Sequence, residues 1–317
     1  MIELKKLKGK KVIVTGGAGF IGSHIMDRCV EAEEAEVYSI DNRPETYRNI
    51  KACYIQADIT NSAALREVFN VINPDFVVHC AAIARIQPSF KRPEDYFRVN
   101  VLGTKNILEL SKKFGVKRVV FSSSSSVYGF QKSLPLTEDM SGHPLNPYAY
   151  TKHMGEELCQ FMGKMTDGPE TVCLRYFNVY GPRQTTLADG AYATVMGIFL
   201  EQKRQGLPFT VVPDGSQRRD FTHVYDVAEA NVKAMISSLI GKKCEIINIG
   251  FGINYNIFDV IALLGKEKQK LIKGEDYIFT SPRLGEARAT LADIVKARHL
   301  LDWIPRVHLS AGIKMCK

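Results

Sequence analysis

The segment Val12-Ile13-Val14-Thr15-Gly16-Gly17-Ala18-Gly19-Phe20-Ile21-Gly22 constrains this chain more than any other. It reads as a buried strand, a glycine turn and the start of a helix. Gly16 permits the tight turn. Gly19 lets backbone amides approach a pyrophosphate at the helix N-terminus, where the helix dipole favours anions. Gly22 lets the helix pack closely on the strand. Glycines alone are a weak signal, because any tight turn needs them. Here the context adds to it: a strand precedes, a helix follows, and Asp41 ends the next strand 19 residues after Gly22. A carboxylate there accepts hydrogen bonds from adenosine ribose hydroxyls and repels a 2′-phosphate, which favours NAD over NADP. Arg43 and Arg48 follow closely, and either could instead bind a 2′-phosphate. The candidate cofactor contacts are Gly16, Gly19, Phe20, Ile21, Gly22, Asp41 and its neighbour Asn42. Asp58-Ile59 either receives the adenine amino group or forms the N-cap region of a helix beginning near Ala63.

The first half of the chain repeats this rhythm. Strands are expected at Val37–Ile40, Cys53–Gln56, Asp75–His79 and Arg118–Phe121. Helices are expected from Phe20 to about Glu31, over Ala63–Val71 and over Pro93–Phe114. Such alternation means a parallel sheet covered by helices on both faces, an α/β doubly wound fold of the Rossmann type. After about Leu174 the rhythm loosens. Tyr176–Gln184 reads as a loop, Ala191–Gln205 as a helix, Val211–Asp220 as a polar turn region and Ile246–Gly250 as a strand. No repeat or linker separates two modules. The organisation expected is a Rossmann domain over residues 1–174 with a returning segment at about 222–250. A smaller C-terminal α/β lid, over about 175–221 and 251–317, would hold the substrate.

Composition narrows the function classes. With 45% hydrophobic and 24% charged residues, the chain is ordinary globular protein rather than a disordered one. Its net charge of +8 favours an anionic partner. The basic residues are spread along the chain apart from Lys5–Lys11, which argues against a nucleic-acid surface. Seven cysteines, an odd number with no C-x-x-C pair, point to reduced thiols in the cytoplasm rather than a disulfide framework or a metal site. The lysine-rich start followed by Val12–Val14 imitates a signal peptide only briefly. Thr15-Gly16-Gly17 breaks the apolar run, and no stretch reaches membrane-spanning length.

Tyr148 and Lys152 stand at i and i+4, on one face of a helix. A free tyrosine has a pKa near 10, so a phenolic base working at neutral pH must come down by about three units, roughly 4 kcal/mol. A fixed lysine charge can supply part of that. With 13 tyrosines such spacings arise by chance, and Tyr47/Lys51 and Tyr128/Lys132 share it. Only Tyr148 follows a turn, Asn146-Pro147, and enters a long helical pattern, Ala149–Met165. A serine run, Ser122–Ser126, lies at the C-terminal end of the preceding strand, where open α/β sheets place their sites.

Gly16–His24, Val78–Ala82, Asn100–Thr104, Phe121–Gly129, Tyr148/Lys152, Arg175–Gly181 and Arg219-Asp220-Phe221 together resemble the nucleotide-sugar epimerases and dehydratases. These form the extended branch of the short-chain dehydrogenase/reductase superfamily. The resemblance runs from about residue 10 to residue 310 and is greatest to UDP-glucose and UDP-N-acetylglucosamine 4-epimerases. It implies NAD as cofactor, with Ala81, Ala82, Asn100, Ser122 and Tyr176 joining Tyr148 and Lys152 around it. It implies that Tyr148 takes the proton of the sugar 4-hydroxyl, that Lys152 holds the nicotinamide ribose, and that Ser124 hydrogen-bonds the 4-oxygen. Transient oxidation at carbon 4 would then give a 4-keto sugar that turns over and is reduced on its other face. Arg219, Asn178 and Arg283 match diphosphate contacts, and Arg85 is a further substrate-side position. The related 4,6-dehydratases carry an acidic residue after the serine. Here Ser124-Ser125-Ser126 offers no carboxylate, which favours simple 4-epimerisation. Thr290 replaces a bulky tyrosine found in members restricted to UDP-glucose and UDP-galactose. It either makes room for an N-acetyl group or points at solvent.

The rival enzymes of the same fold are a UDP-glucuronate epimerase or decarboxylase, a 4,6-dehydratase and a 4-keto reductase. The rival of another class is a non-enzymatic NAD- or nucleic-acid-binding protein, which the intact Tyr148/Lys152 pair opposes. Tyr180 and His223 read as packing and hydrogen-bonding residues rather than catalysts, and His79 as a satisfied core histidine. The resemblance also implies a homodimer formed by helices Pro93–Phe114 and Tyr148–Met165.

Overall fold

The computed structural model describes residues 4–316 apart from 33, 45, 46, 242, 243, 266 and 267. Six strands follow the apolar runs: β1 (Lys11–Thr15), β2 (Glu36–Asp41), β3 (Cys53–Gln56), β4 (Phe76–His79), β5 (Arg118–Ser124) and β6 (Glu170–Tyr176). With Glu245–Ile249 they make a seven-stranded sheet in the order Glu245–Ile249, β6, β5, β4, β1, β2, β3. Every pairing in it is parallel. The fold is thus the doubly wound Rossmann type. Strand direction of progress reverses between β1 and β4, so a crevice opens beyond their C-terminal ends. Gly16 and Cys80 are the residues that enter it.

Alternate residues of β1 feed opposite faces of the sheet. Val12 and Val14 pack with Ile25 and Met26 on one side, and Ile13 packs with Leu65, Phe69 and Ile107 on the other. A third apolar cluster lies off the sheet and joins Tyr180, Met196, Phe199, Phe209, Phe221 and Ile257. These residues all come from the segments beyond β6.

Several elements differ from the pattern-based expectation, each for a local reason. The stretch expected as one helix from Pro93 is α-helical over Pro93–Tyr96, π-helical over Phe97–Leu102 and α-helical again over Gly103–Lys113. Gly103 presses on Ile59 so closely that a Cβ there would strike it. The helix expected from Ala191 starts at Val195, because Thr194 caps it by accepting a hydrogen bond from the Gly197 amide at 2.8 Å. Leu187–Tyr192 forms a separate 3₁₀ turn. Asn61, not Asp58, caps the Ser62–Ile72 helix. The polar region 211–220 ends in a strand, Arg218–Asp220, that pairs with Asn254–Asn256. The periodicity misses β6 and the short Ile86–Lys91 helix altogether.

Candidate active site

The glycine turn is fixed by crowding. Gly16 has φ +73°, and a Cβ on it would lie 2.8 Å from the Ala81 amide nitrogen. A Cβ on Gly22 would strike the Gly16 carbonyl. Gly19 caps the Phe20–Cys29 helix with no side-chain hydrogen bond, so the first-turn amides stay open to a ligand. The cradle has room for backbone contacts and none for side chains, which is the shape a diphosphate needs. At the end of β2 the buried Asp41 carboxylate accepts hydrogen bonds from the amides of Ala18 (3.1 Å) and Arg43 (3.0 Å). The Arg43 guanidinium stands 3.9 Å from the same carboxylate. Asp58 accepts from the Thr60 amide and hydroxyl at 2.8 and 2.7 Å.

A cavity of about 1090 Å³ extends from this cradle across the β4, β5 and β6 ends to the third cluster. It is lined by every residue that the sequence nominates, with one exception. Asn100 lies behind the wall, 2% exposed. Its amide holds the Ile83 backbone at both N (2.8 Å) and O (3.0 Å) and reaches the Thr151 hydroxyl at 3.0 Å. It shapes the cavity edge without facing it.

Tyr148 lies in the first turn of the Pro147–Gly163 helix, set by Pro147 at its start and by Asn146, which accepts from the Ala149 amide at 2.8 Å. Burial raises the Tyr148 pKa, while hydrogen bonding to Ser124 and the charge of Arg85 act to lower it. One turn on, Lys152 is 4% exposed and donates to the Ser122 carbonyl at 2.7 Å. Burial pushes its pKa down to about 8. The sequence couples Tyr148 to Lys152. In the folded chain the cation bearing on the phenol is Arg85, and the ammonium is bonded to β5.

The serine run divides by role. Ser122 Oγ shares hydrogen bonds with Cys80 Sγ (2.8 Å) and the Tyr176 hydroxyl (3.0 Å). Ser123 Oγ donates to Glu156 at 2.6 Å. Glu156 is itself gripped by Arg175 through two hydrogen bonds of 2.9 and 2.8 Å. Ser124 Oγ accepts from Ser126 N at 3.2 Å. Sequence reasoning misses Glu156, although its position one turn after Lys152 on a buried helix face is a readable signal.

On the far side of the cavity, Glu286 sits between Arg219 (3.4 Å) and Arg283 (3.8 Å). Asn178 donates to the Asp220 carbonyl at 3.0 Å. Thr290 is buried, not solvent-facing; its hydroxyl lies 3.4 Å from the Asn178 amide. His79 is 1% exposed and satisfied by Thr15 (2.7 Å) and Thr104 (3.0 Å). Tyr180 and His223 pack edge to face with centroids 5.2 Å apart.

The model of the NAD-dependent epimerase/dehydratase family matches residues 12–250. The chain belongs to that family. A UDP-glucuronate 4-epimerase of Thermodesulfobacterium geofontis is 35% identical, covering 95% of this chain and 93% of its own. Among solved structures, the UDP-glucose 4-epimerase of Thermotoga maritima, with UDP-glucose, is 32% identical with a TM-score of 0.88 and 96% of each chain covered. The UDP-glucuronic acid 4-epimerase of Bacillus cereus, with UDP-glucuronic acid and NAD, is 34% identical with a TM-score of 0.84, covering 96% of this chain and 97% of its own. The family's NAD fits the observed cradle: uncovered helix amides, a buried Asp41 and a glycine turn with no room for side chains. Among the described residues, no helix is long and apolar enough to cross a membrane, and no group of His, Cys, Asp or Glu could hold a metal ion.

Proposed function

We propose that this chain is an NAD-dependent UDP-sugar 4-epimerase, acting on the UDP-glucose/UDP-galactose pair and able to accept N-acetylated sugars beside Thr290. The observation that carries the reading is that Tyr148 and Ser124 line the same cavity as the glycine cradle and the Arg219/Arg283 pair. NAD, when bound, supplies the hydride acceptor for carbon 4. Asp41 and Lys152 would hold its two riboses, and the amides after Gly19 its diphosphate. Tyr148 takes the proton of the sugar 4-hydroxyl and later returns it. Ser124 keeps the 4-oxygen within reach of that phenol. Arg219 and Arg283 exchange Glu286 for the nucleotide diphosphate, a trade of one carboxylate for a more highly charged anion. No carboxylate follows Ser124 in the run, so elimination of water across carbons 5 and 6 lacks its acid–base group.

All seven cysteines are free, in keeping with a cytoplasmic enzyme. We also take the working form to be a homodimer. The test is NMR of the protein incubated with UDP-glucose, UDP-N-acetylglucosamine and UDP-glucuronate. The expected result is a 4-epimer without net NADH. Tyr148→Phe should lower the rate by about 10²–10⁴-fold while leaving NAD bound. Failure to form an epimer from any of the three overturns the reading.

A further inference from the structure

We infer that Asp220 is a positioning residue for the nucleotide-sugar side of the cavity: its buried carboxylate holds Arg219, Asn178 and Thr290 in one fixed arrangement. This rests on the 4-epimerase reading and adds to it a residue that does not itself line the cavity.

Asp220 ends the strand Arg218–Asp220 and is fully buried. Its carboxylate accepts hydrogen bonds from three backbone amides: Phe251 at 2.7 Å, Gly252 at 2.9 Å and Ala292 at 3.1 Å. Two of these amides lie in the turn that leaves the Glu245–Ile249 strand, and the third lies just beyond Thr290. None of the three residues lines the cavity. The fit is close: a Cβ on Gly250 would stand 3.0 Å from a carboxylate oxygen of Asp220 and would strike Ala292. Three donors converging on one side chain call for a group that only accepts. A carboxylate has about four lone-pair sites and no hydrogen, whereas a carboxamide would turn an N–H against an N–H. Burial pushes the Asp220 pKa up to about 6, so at neutral pH the group is still the ionised acceptor.

The substrate-side residues are attached to the same point. Arg219 precedes Asp220 in the strand. The Asn178 side-chain amide donates to the Asp220 carbonyl at 3.0 Å. The Thr290 hydroxyl lies 3.4 Å from both the Asp220 backbone amide and the Asn178 side-chain amide. The Arg218 amide donates to the Arg288 carbonyl, and the Thr290 amide to the Arg218 carbonyl, each at 3.0 Å. The strand is thereby joined to the segment that carries Thr290. One carboxylate, through charge-assisted hydrogen bonds, fixes where a diphosphate arginine stands relative to the residue beside the sugar. Losing it leaves three amides without their acceptor and loosens Arg219, Asn178 and Thr290 together. The glycine cradle and Tyr148, across the cavity, keep their own supports.

The test compares wild type with Asp220→Asn, by calorimetry of UDP binding to the NAD-loaded protein and by turnover of UDP-glucose. Asp220→Asn should raise the Kd of UDP and the KM for UDP-glucose about tenfold, with kcat and the affinity for NAD unchanged. A carboxylate that only supports the fold would lower the fraction of active protein, so kcat would fall at constant KM. That result, or an unaltered Kd for UDP, overturns the proposal. If Asp220→Asn fails to fold, hydrogen exchange in the wild type decides. UDP should slow exchange of the Phe251, Gly252 and Ala292 amides about tenfold, because coupling through Asp220 is reciprocal. The amides of the Ser62–Ile72 helix are the reference, and equal slowing of both sets, or slowing of neither, overturns the role of Asp220. UDP binding needs no turnover, so a missing epimer sinks the 4-epimerase reading while the Kd of UDP still decides the role of Asp220.

Discussion

Lys152 shows how one buried charge links chemistry to stability. Its ammonium is bonded to the Ser122 carbonyl, and burial holds its pKa at about 8. In the unfolded chain a lysine titrates near 10.4. Between about pH 8 and 10 the unfolded chain therefore carries a proton that the folded chain has lost. Stability contributed by this site rises with pH across that window, by up to about 3 kcal/mol. Lys152→Met has no such group. The urea midpoint of wild type should gain on that of Lys152→Met between pH 7.5 and 9.5, and a constant gap would mean Lys152 titrates normally. The residue itself was legible from its spacing to Tyr148. The role of Arg85 was not, because its partners Thr185 and Tyr192 lie about a hundred residues away in sequence. A contact of that length has no local pattern.

Among the elements, the π-helical segment Phe97–Leu102 has the clearest consequence. It carries Asn100, whose side chain binds both backbone groups of Ile83 on the cavity wall. Asn100→Ala leaves a buried donor and acceptor unpaired, each costing about 1–3 kcal/mol. Thermal unfolding should show a loss of about 2–4 kcal/mol, and NAD binding should weaken as the Ala81–Ile83 segment loosens. An unchanged melting point would show that the amide is dispensable. Apolar periodicity marked a helix here but could not mark the π segment, since six residues are too few to tell the two repeats apart. It missed β6 for another reason. Arg175 interrupts the apolar run Val172-Cys173-Leu174, and only the folded chain supplies the Glu156 that makes burial of that charge tolerable. The strands around the glycine turn, by contrast, were readable to within two residues because short apolar runs such as Val12-Ile13-Val14 and Val77-Val78 mark them.

For the whole molecule, the excess of positive charge acquires a distribution. The N-terminal lysines, which in sequence have no partner, are tied to the body: Lys8 to Glu34 at 3.2 Å, Lys10 to Asp75 at 3.0 Å, and Lys6 to the Ile236 carbonyl at 3.4 Å. One apolar patch stays exposed as well. Phe97, Leu102, Tyr150 and Phe161 are 37%, 41%, 49% and 61% exposed on the adjoining helical segments that begin at Pro93 and Pro147. Phe97 and Tyr150 meet edge to face at 6.0 Å, so they belong to one patch. Such exposed apolar side chains are unfavourable in water, and in the homodimer proposed above the same face of a second copy would cover them across a two-fold axis. Sedimentation should give about twice the 35.5 kDa chain mass at micromolar concentration. Phe161→Asp places a charge in that contact and should shift the mass to a single chain. Phe161 lies near the end of its helix opposite Tyr148, so the variant should still form epimer. A wild type that sediments as one chain at ten micromolar overturns the dimer. A Phe161→Asp protein that stays double moves the contact to another face.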